Sequence, residues 1–187
     1  MVLKCILHFL LRSIFCGSKT GDNPLFAEHA ASLGKMLAES GFDIVYGGGD
    51  NGLMGIIANQ ALLNGASVTG VIPKVLIPWE QYHKQLTELI ITDDMHVRKK
   101  TMYQLADAAV ILPGGLGTLD ELFEILTWNQ LSIHNKNIYI LNTDDFYSAL
   151  IEHMKRLEKN GFLYHPIAES FTVHQHPNTL IEELVRG

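Results

Sequence analysis

The sequence predicts an α/β protein, a single Rossmann-like domain over residues 1–187 that is built on a doubly wound parallel sheet. Short apolar runs alternate with segments of helical periodicity, and the apolar runs are continuous. Turns that contain glycine follow several of these runs. Continuous apolar strands are typical of a parallel sheet that helices cover on both faces, so the alternation favours a doubly wound architecture.

The periodicity places each element in turn. The first helix carries Phe26, Ala30, Leu33 and Leu37 at spacings of four, three and four, and it ends at Gly41. The predicted strands are 13–16, 43–46, 66–72, 89–92, 108–112, 137–141 and 170–173. The other predicted helices are 52–64, 95–106, 118–131, 146–160 and 179–185.

The first 18 residues contain an apolar stretch that His8 and Arg12 interrupt, and it has some features of a weak signal peptide. The stretch is short and lacks a small-x-small cleavage pattern, so we interpret 1–12 as an irregular extension that leads into the first buried strand. No run approaches the roughly 20 apolar residues that span a bilayer. We therefore expect a cytoplasmic protein with no membrane partner.

Composition narrows the classes of function. The chain has 187 residues, of which 47% are apolar and 18% charged, as in an ordinary globular domain. A net charge of −6 argues against nucleic acid as a partner but permits a small phosphorylated ligand, which needs only local positive potential. The two cysteines, Cys5 and Cys16, form no disulfide framework and indicate a reducing compartment.

Three glycine turns fall at the carboxyl edge of the predicted sheet, where such folds bind ligands. The first, "CGSKTG", lacks the ending of a Walker P-loop. The second, "YGGGDNGLMG", fits G-x-G-x-x-G through Gly47, Gly49 and Gly52. A dinucleotide site would place an acidic residue about 20 positions later, and none occurs there. This turn therefore serves either a ligand or simply a tight strand-to-helix connection.

The third turn, "PGGLGT", is the strongest anion signal in the chain. Gly114, Gly115 and Gly117 let backbone N–H groups approach an anion, and the following helix presents its positive end. A phosphate group is the expected ligand of such a loop. The alternative is purely local, because Thr118 and Glu121 match the S/T-x-x-E capping box that satisfies a helix's own N–H groups.

A basic segment, "MHVRKKTM", supplies the positive counterpart in a chain that is poor in cations. Arg98, Lys99 and Lys100 lie at the start of a predicted helix, where the helix dipole disfavours arginine. A phosphate or carboxylate partner for Arg98 is therefore expected. His174 and His176 are the closest histidine pair, and no third ligand stands at a familiar spacing, so we expect no metal site.

Taken together, "FCGS", "YGGGDNGLMG", "MHVRKKTM" and "PGGLGTLDE" resemble the LOG (Lonely Guy) family of cytokinin riboside 5'-monophosphate phosphoribohydrolases, formerly described as lysine decarboxylases. The resemblance runs from about residue 14 to residue 185. It implies a Rossmann-like fold, a homodimer and no cofactor. The implied reaction cleaves the N-glycosidic bond of a nucleoside 5'-monophosphate, here AMP or an N6-prenylated form, to a free base and ribose 5-phosphate.

The resemblance assigns the catalytic arginine to Arg98 and the catalytic glutamate to Glu121. The phosphate loop falls on Gly114, Gly115, Gly117 and Thr118. The other substrate-binding residues that it implies are Ser18, Gly47, Gly48, Gly49, Met95 and Lys99. Two positions depart from the usual pattern: Val97 replaces a glutamate, and Asp50 stands where serine, asparagine or arginine is frequent.

Glycosidic cleavage explains why acidic residues follow an anion loop. The reaction passes through an oxocarbenium-like cation, which Glu121 would stabilise while orienting or deprotonating the attacking water. Arg98 would anchor the phosphate or polarise the leaving base. Asp120 points about 100° away around the helix, so we rank it second, as support for the helix dipole.

The sequence leaves two other functions open. A non-catalytic carrier of a phosphorylated cofactor, similar to a molybdenum-cofactor carrier, needs the loops and Arg98 but not Glu121. A structural domain would use every glycine for turns. The segment 71–83 is a candidate flap or dimer contact, and Phe123, Leu126 and Leu131 form a candidate dimer helix. Candidates for the base pocket are Met54, Trp79, Met95, Met102 and Trp128.

Overall fold

The computed structural model describes residues 11–78 and 81–186. The strands are β1 (Leu11–Phe15), β2 (Asp43–Tyr46), β3 (Val68–Pro73), β4 (Glu88–Thr92), β5 (Ala108–Ile111), β6 (Asn137–Leu141) and β7 (Thr172–His174). The helices are α1 (Pro24–Glu39), α2 (Gly52–Leu63), α3 (Met95–Leu105), α4 (Leu116–Gln130), α5 (Ser148–Lys159) and α6 (Pro177–Arg186). Short 3₁₀ turns lie at Lys74–Leu76, Thr143–Asp145 and Ile167–Glu169.

All seven strands are parallel and lie in the order β4-β3-β2-β1-β5-β6-β7. From β1 near the middle of the sheet, the strands build outward to β4, and β5 then lies on the other side of β1. The predicted doubly wound sheet is therefore confirmed. Because the strand order reverses between β1 and β5, their carboxyl ends form the topological switch point where such sheets open a crevice.

Side chains that alternate along each strand build a core on both faces of the sheet. Ile14 of β1 packs with residues of α1, α2 and α6, whereas the next residue, Phe15, packs with residues of α3 and α4 on the opposite face. Both side chains are 1% exposed. The central strand is thus fixed from two sides, and this holds the loop that follows it in place.

Several boundaries differ from the sequence prediction. β1 includes Leu11 and Arg12, which we had expected in an irregular extension; residues 1–10 of that extension lie outside the described part. β1 pairs with β2 and β5 from its first residues, which explains the early start. α4 begins at Leu116, two residues before the predicted Thr118. Within residues 11–78 and 81–186, no helix combines the length and apolar character that crossing a bilayer requires.

Candidate active site

A cavity of about 540 Å³ lies at the switch point. Its walls come from the loops after β1 and β5, from the first residues of α2, and from α3 and α4. The two loops touch, since the N–H of Gly17 donates to the carbonyl of Pro113 at 3.0 Å. The cavity is therefore built by backbone segments that the sheet itself holds side by side.

The start of α4 forms one wall of this cavity. Gly115 is the N-cap and makes no side-chain capping bond, so the first N–H groups of the helix have no partner within it. A Cβ atom on Gly114 would lie 2.1 Å from Oγ1 of Thr118 and 2.9 Å from the backbone nitrogen of Gly17. Only glycine fits there. The result is a cradle of backbone donors at the positive end of a helix, which suits a phosphate group.

The capping-box alternative is wrong. With Gly115 as N-cap, Thr118 is the third residue of α4 and Glu121 the sixth, so neither stands where a capping box needs it. The carboxylate of Glu121 instead accepts a hydrogen bond from Arg98. The sequence motif matches a capping box, but α4 begins before the residue that the motif would make the N-cap.

Arg98 and Glu121 form a buried ion pair in the cavity wall. Nη1 of Arg98 donates to Oε1 of Glu121 at 2.9 Å, and the two side chains are 10% and 9% exposed. Nε of Arg98 donates to the carbonyl of Val71 at 3.1 Å, which fixes the guanidinium from its other side. Sequence reasoning required a partner for this arginine, and the structure supplies a carboxylate.

Burial raises the pKa of Glu121, and the charge and hydrogen bond of Arg98 oppose that rise. Neighbouring Asp120 raises this pKa further, whereas Lys99 lowers it. A carboxylate in this setting carries its charge in a poorly solvated wall, where its field on a bound molecule is stronger than in water. That property suits a group that must stabilise a developing cation.

Gly47 makes room for this pair. A Cβ atom at Gly47 would lie 2.5 Å from Nη2 of Arg98 and 3.1 Å from Sδ of Met54. The first glycine of "YGGGDNG" thus serves the arginine rather than a dinucleotide. Gly48 and Gly49 do not line the cavity; the carbonyl of Gly48 accepts from the N–H of His83, and Gly49 pairs with Tyr82.

Nine of the twelve predicted site residues line this cavity. They are Ser18, Gly47, Met95, Arg98, Gly114, Gly115, Gly117, Thr118 and Glu121. Lys99 lies elsewhere: its Nζ is 3.0 Å from Oδ2 of Asp120 and 3.1 Å from Oε2 of Glu124. A contact between Lys99 and a ligand in the cavity would require both of these ion pairs to open.

Of the expected base-pocket residues, Met54 and Met95 line the cavity. Met102 is fully buried in the core, and Trp128 packs against Tyr103 with 5.1 Å between ring centroids. Trp79 lies outside the described residues. Sequence reasoning did not select the other lining residues, although several of them lie in the glycine turns or in the candidate flap 71–83. These are Lys19, Thr20, Phe26, Leu53, Leu76 and Phe146, together with the core residues at the end of β1.

The two departures from the family pattern leave the ion pair intact. Val97 is 43% exposed, and its N–H donates to the carboxylate of Asp94, the N-cap of α3. Asp50 is exposed and lies 3.6 Å from Nε2 of His83. Asp120 is also reassigned: it follows the first turn of α4 and pairs with Lys99, so support of the helix dipole does not describe it.

Several proteins of known name have similar sequences. The family described as "possible lysine decarboxylase" matches residues 54–184. A cytokinin riboside 5'-monophosphate phosphoribohydrolase of Arabidopsis thaliana, LOG7, is 43% identical over 173 residues, which cover 92% of this chain and 78% of that protein. The enzyme of the same name from Rhodococcoides fascians is 42% identical over 153 residues, which cover 81% and 77%.

Solved structures with the same fold are more distant in sequence. The molybdenum cofactor binding protein of Rippkaea orientalis superposes with a TM-score of 0.72 at 19% identity, over 95% of this chain and 96% of that one. The molybdenum cofactor carrier protein of Chlamydomonas reinhardtii gives 0.73 at 18%, with the same coverage. At such identities the likeness establishes the fold alone. On sequence and fold together, the chain belongs to the LOG family, whose relatives carry the name cytokinin riboside 5'-monophosphate phosphoribohydrolase.

Proposed function

We propose that this protein hydrolyses the N-glycosidic bond of a nucleoside 5'-monophosphate to a free base and ribose 5-phosphate. The observation that carries the proposal is the buried Arg98–Glu121 pair, which lies in one cavity with the backbone cradle at the start of α4. The names of the relatives support the same reaction. We further propose that the substrate is AMP or an N6-prenylated AMP.

In the proposed complex, the 5'-phosphate binds the first N–H groups of α4 and the hydroxyl of Thr118. Glu121 is three residues further along the same helix, about one turn from the cradle. The ribose therefore extends from the cradle toward Glu121. Helix α4 thus contacts both the 5'-phosphate and the anomeric carbon of the proposed substrate.

The reaction then proceeds as a hydrolysis. Water attacks the anomeric carbon as the bond to the base nitrogen breaks, and the bonding electrons leave with the base. Glu121 stabilises the oxocarbenium-like cation and accepts a proton from the water, and a proton is returned to the leaving base. Arg98 holds the carboxylate of Glu121 in place and faces the cavity, where it can polarise the base.

The apolar part of the cavity supports an adenine-type base. Leu53, Met54, Leu76 and Met95 line the same cavity as Arg98 and Glu121. Thioether and aliphatic side chains adapt to flat or irregular apolar groups, including a prenyl chain. This part of the cavity lies beside the reacting pair, where the base must be.

We also propose a homodimer. Of the three residues predicted for the dimer helix, Leu126 is buried in the core and cannot contribute. The exposed apolar residues are Leu116 and Phe123 of α4 and its C-cap Leu131, which are 86%, 39% and 53% exposed and recur at seven and eight residues. That spacing places them along one side of the helix. An apolar stripe of this kind is typical of a surface that another copy of the chain covers.

The test of the proposed activity uses AMP and N6-isopentenyl-AMP with chromatographic detection of base and ribose 5-phosphate. We expect release from the wild type, a loss of at least about 100-fold in Glu121→Gln, and a weaker binding or slower cleavage in Arg98→Ala. Matched controls are Glu152→Gln and Arg186→Ala, whose side chains are 69% and 79% exposed and should leave turnover unchanged.

Two results would contradict the proposal. Full activity in Glu121→Gln removes the carboxylate from the reaction. Tight nucleotide binding by calorimetry without release of base from either nucleotide would favour a carrier of a phosphorylated ligand instead. Urea unfolding midpoints for each variant separate a lost site from a lost fold.

A further inference from the structure

Lys99 is a buried cation that the proposed reaction does not use. Its side chain is 8% exposed, and its Nζ contacts the carboxylates of Asp120 and Glu124 at 3.0 and 3.1 Å. Arg98 and Lys99 are consecutive on α3, so their side chains leave the helix about 100° apart. Arg98 enters the cavity, whereas Lys99 enters the contact between α3 and α4.

Tyr103 adds a second contact on the same side of α3, because it lies four residues after Lys99. Its hydroxyl donates to the backbone carbonyl of Glu121 at 3.1 Å. The side chain is 1% exposed, which leaves it little freedom. We name Lys99, Tyr103, Asp120 and Glu124 the α3–α4 clamp.

The residues of the clamp contact α4 before, at and after Glu121. Asp120 precedes Glu121, Glu124 follows it by one turn, and Tyr103 binds the carbonyl of Glu121 itself. The distance between Arg98 and Glu121 depends on how α3 lies against α4, since each helix carries one of the two. A clamp at that point therefore sets the geometry of the ion pair.

We propose that Lys99 is a positioning residue, which holds α3 against α4 so that Arg98 and Glu121 stay in contact in the cavity. This rests on the proposed function, because it assigns Lys99 a role in the same reaction. It replaces the direct substrate contact that the sequence suggested for Lys99. Asp120 and Glu124 are the groups through which Lys99 acts.

The charges around Glu121 give the proposal a distinctive signature. Lys99 lowers the pKa of Glu121, and Asp120 raises it. Removing one or the other should therefore shift the ionisation of Glu121 in opposite directions. The ionisable groups around Glu121 are Arg98, Lys99 and Tyr103 on α3, Asp120 and Glu124 on α4, Cys16 after β1, and Tyr147 before α5.

The central test compares Lys99→Met with Asp120→Asn. In Lys99→Met we expect kcat to fall roughly ten- to a hundredfold while KM changes less than about threefold, because the pair is misplaced but the cradle is intact. The acid limb of kcat should move to higher pH. In Asp120→Asn, where Glu124 still holds Lys99, the acid limb should move to lower pH with a smaller loss of kcat. Lys99→Arg should restore part of the activity.

A second measurement does not depend on turnover. Carbon-13 labelling of glutamate carboxyl groups, with Glu121 assigned by its loss in Glu121→Gln, allows its titration to be followed by NMR. We expect it to titrate at higher pH in Lys99→Met and at lower pH in Asp120→Asn. If the wild type releases no base, the proposed reaction fails while these titrations still test the clamp.

The proposal is overturned by either of two outcomes. A rise in KM at unchanged kcat in Lys99→Met would mean that Lys99 binds the substrate directly. Equal kcat and an unmoved titration of Glu121 in Lys99→Met would mean that the clamp has no influence on the pair. Should Lys99→Met unfold, Lys99→Arg and Asp120→Asn carry the test, with urea midpoints to show that they are folded.

Discussion

Because Gly47 has no side chain, the guanidinium of Arg98 can lie directly against the backbone at this position. The loop after β2 passes directly over Nη2, at a distance that leaves no room for a methyl group. Glu121 and the carbonyl of Val71 hold the guanidinium from the other directions. The guanidinium of Arg98 is thus positioned by one carboxylate, by one backbone carbonyl and by the space that Gly47 leaves open.

Gly47→Ala should therefore lower turnover without unfolding the protein. The new Cβ would lie 2.5 Å from Nη2 of Arg98, the end of a flexible side chain, so Arg98 moves and the backbone does not. We expect kcat for base release to fall roughly tenfold or more, with a small change in the urea midpoint.

The matched control is Gly65→Ala. Gly65 has φ of +92° and no atom within 4 Å of a built Cβ, so alanine there strains the backbone but touches nothing. We expect a loss of about 1 kcal/mol or more in stability and wild-type turnover. The interpretation of Gly47 is rejected if both variants lose stability alike and both retain kcat.

Much of this arrangement was predictable at the level of motifs. The sequence predicts the three glycine turns at the carboxyl edge of a parallel sheet and Arg98 at the start of a helix, and the strand order then brings the turns after β1 and β5 together. The position of the Lys99 side chain, between α3 and α4 rather than in the cavity, was not predictable. Its partners lie more than 20 residues away, and the direction of its side chain depends on how α3 packs on α4.

Helix α4 combines three roles within fifteen residues. Its first turn offers backbone donors to the cavity, Glu121 provides the carboxylate, and its outer side carries an apolar stripe. The capping-box alternative fails at this element because the N-cap is Gly115, three residues before Thr118, which the motif would make the N-cap. Helix starts are decided by backbone conformation, which a short motif does not fix.

The apolar stripe of α4 makes the oligomeric state testable. A charged residue within this stripe should disrupt the proposed homodimer, so we expect Phe123→Glu at its centre and Leu131→Glu at its end to reduce the mass seen by light scattering toward the 20.9 kDa monomer. Leu63→Glu is the matched control, because Leu63 is 77% exposed on α2, away from the stripe. A wild type that is monomeric at every concentration, or equal effects of all three changes, would contradict the proposal.

At the scale of the whole molecule, two histidines connect separate elements: His29 joins α1 to the turn after β6, and His174 joins β7 to α6. Nδ1 of His29 on α1 lies 2.8 Å from Oγ1 of Thr143, and Nε2 of His174 on β7 lies 3.1 Å from Oε2 of Glu183 on α6. Burial lowers the pKa of both histidines, and His176 contributes to the shift at His29. Glu183 partly opposes the shift at His174.

These shifts predict how stability depends on pH. An unfolded histidine has a pKa of about 6.5, and the folded pKa of His174 is lower. Below about pH 6.5 the unfolded chain therefore binds more protons at this residue than the folded chain does. The contribution of His174 is therefore present above about pH 6.5 and is lost as the pH falls toward its lower folded value. The raised pKa of Glu121 changes the pH dependence of stability in the opposite direction. The contribution of His174 is therefore measured as the difference between the wild type and a His174 variant.

We therefore expect His174→Gln to flatten the decline in the free energy of unfolding between about pH 7.5 and pH 5, measured by urea at one protein concentration. The matched control His153→Gln removes an exposed histidine on α5 and should keep the wild-type dependence. Parallel curves for wild type and His174→Gln would mean that the Glu183 contact cancels the effect of burial. In that case His174 makes no net contribution to the acid sensitivity of the fold.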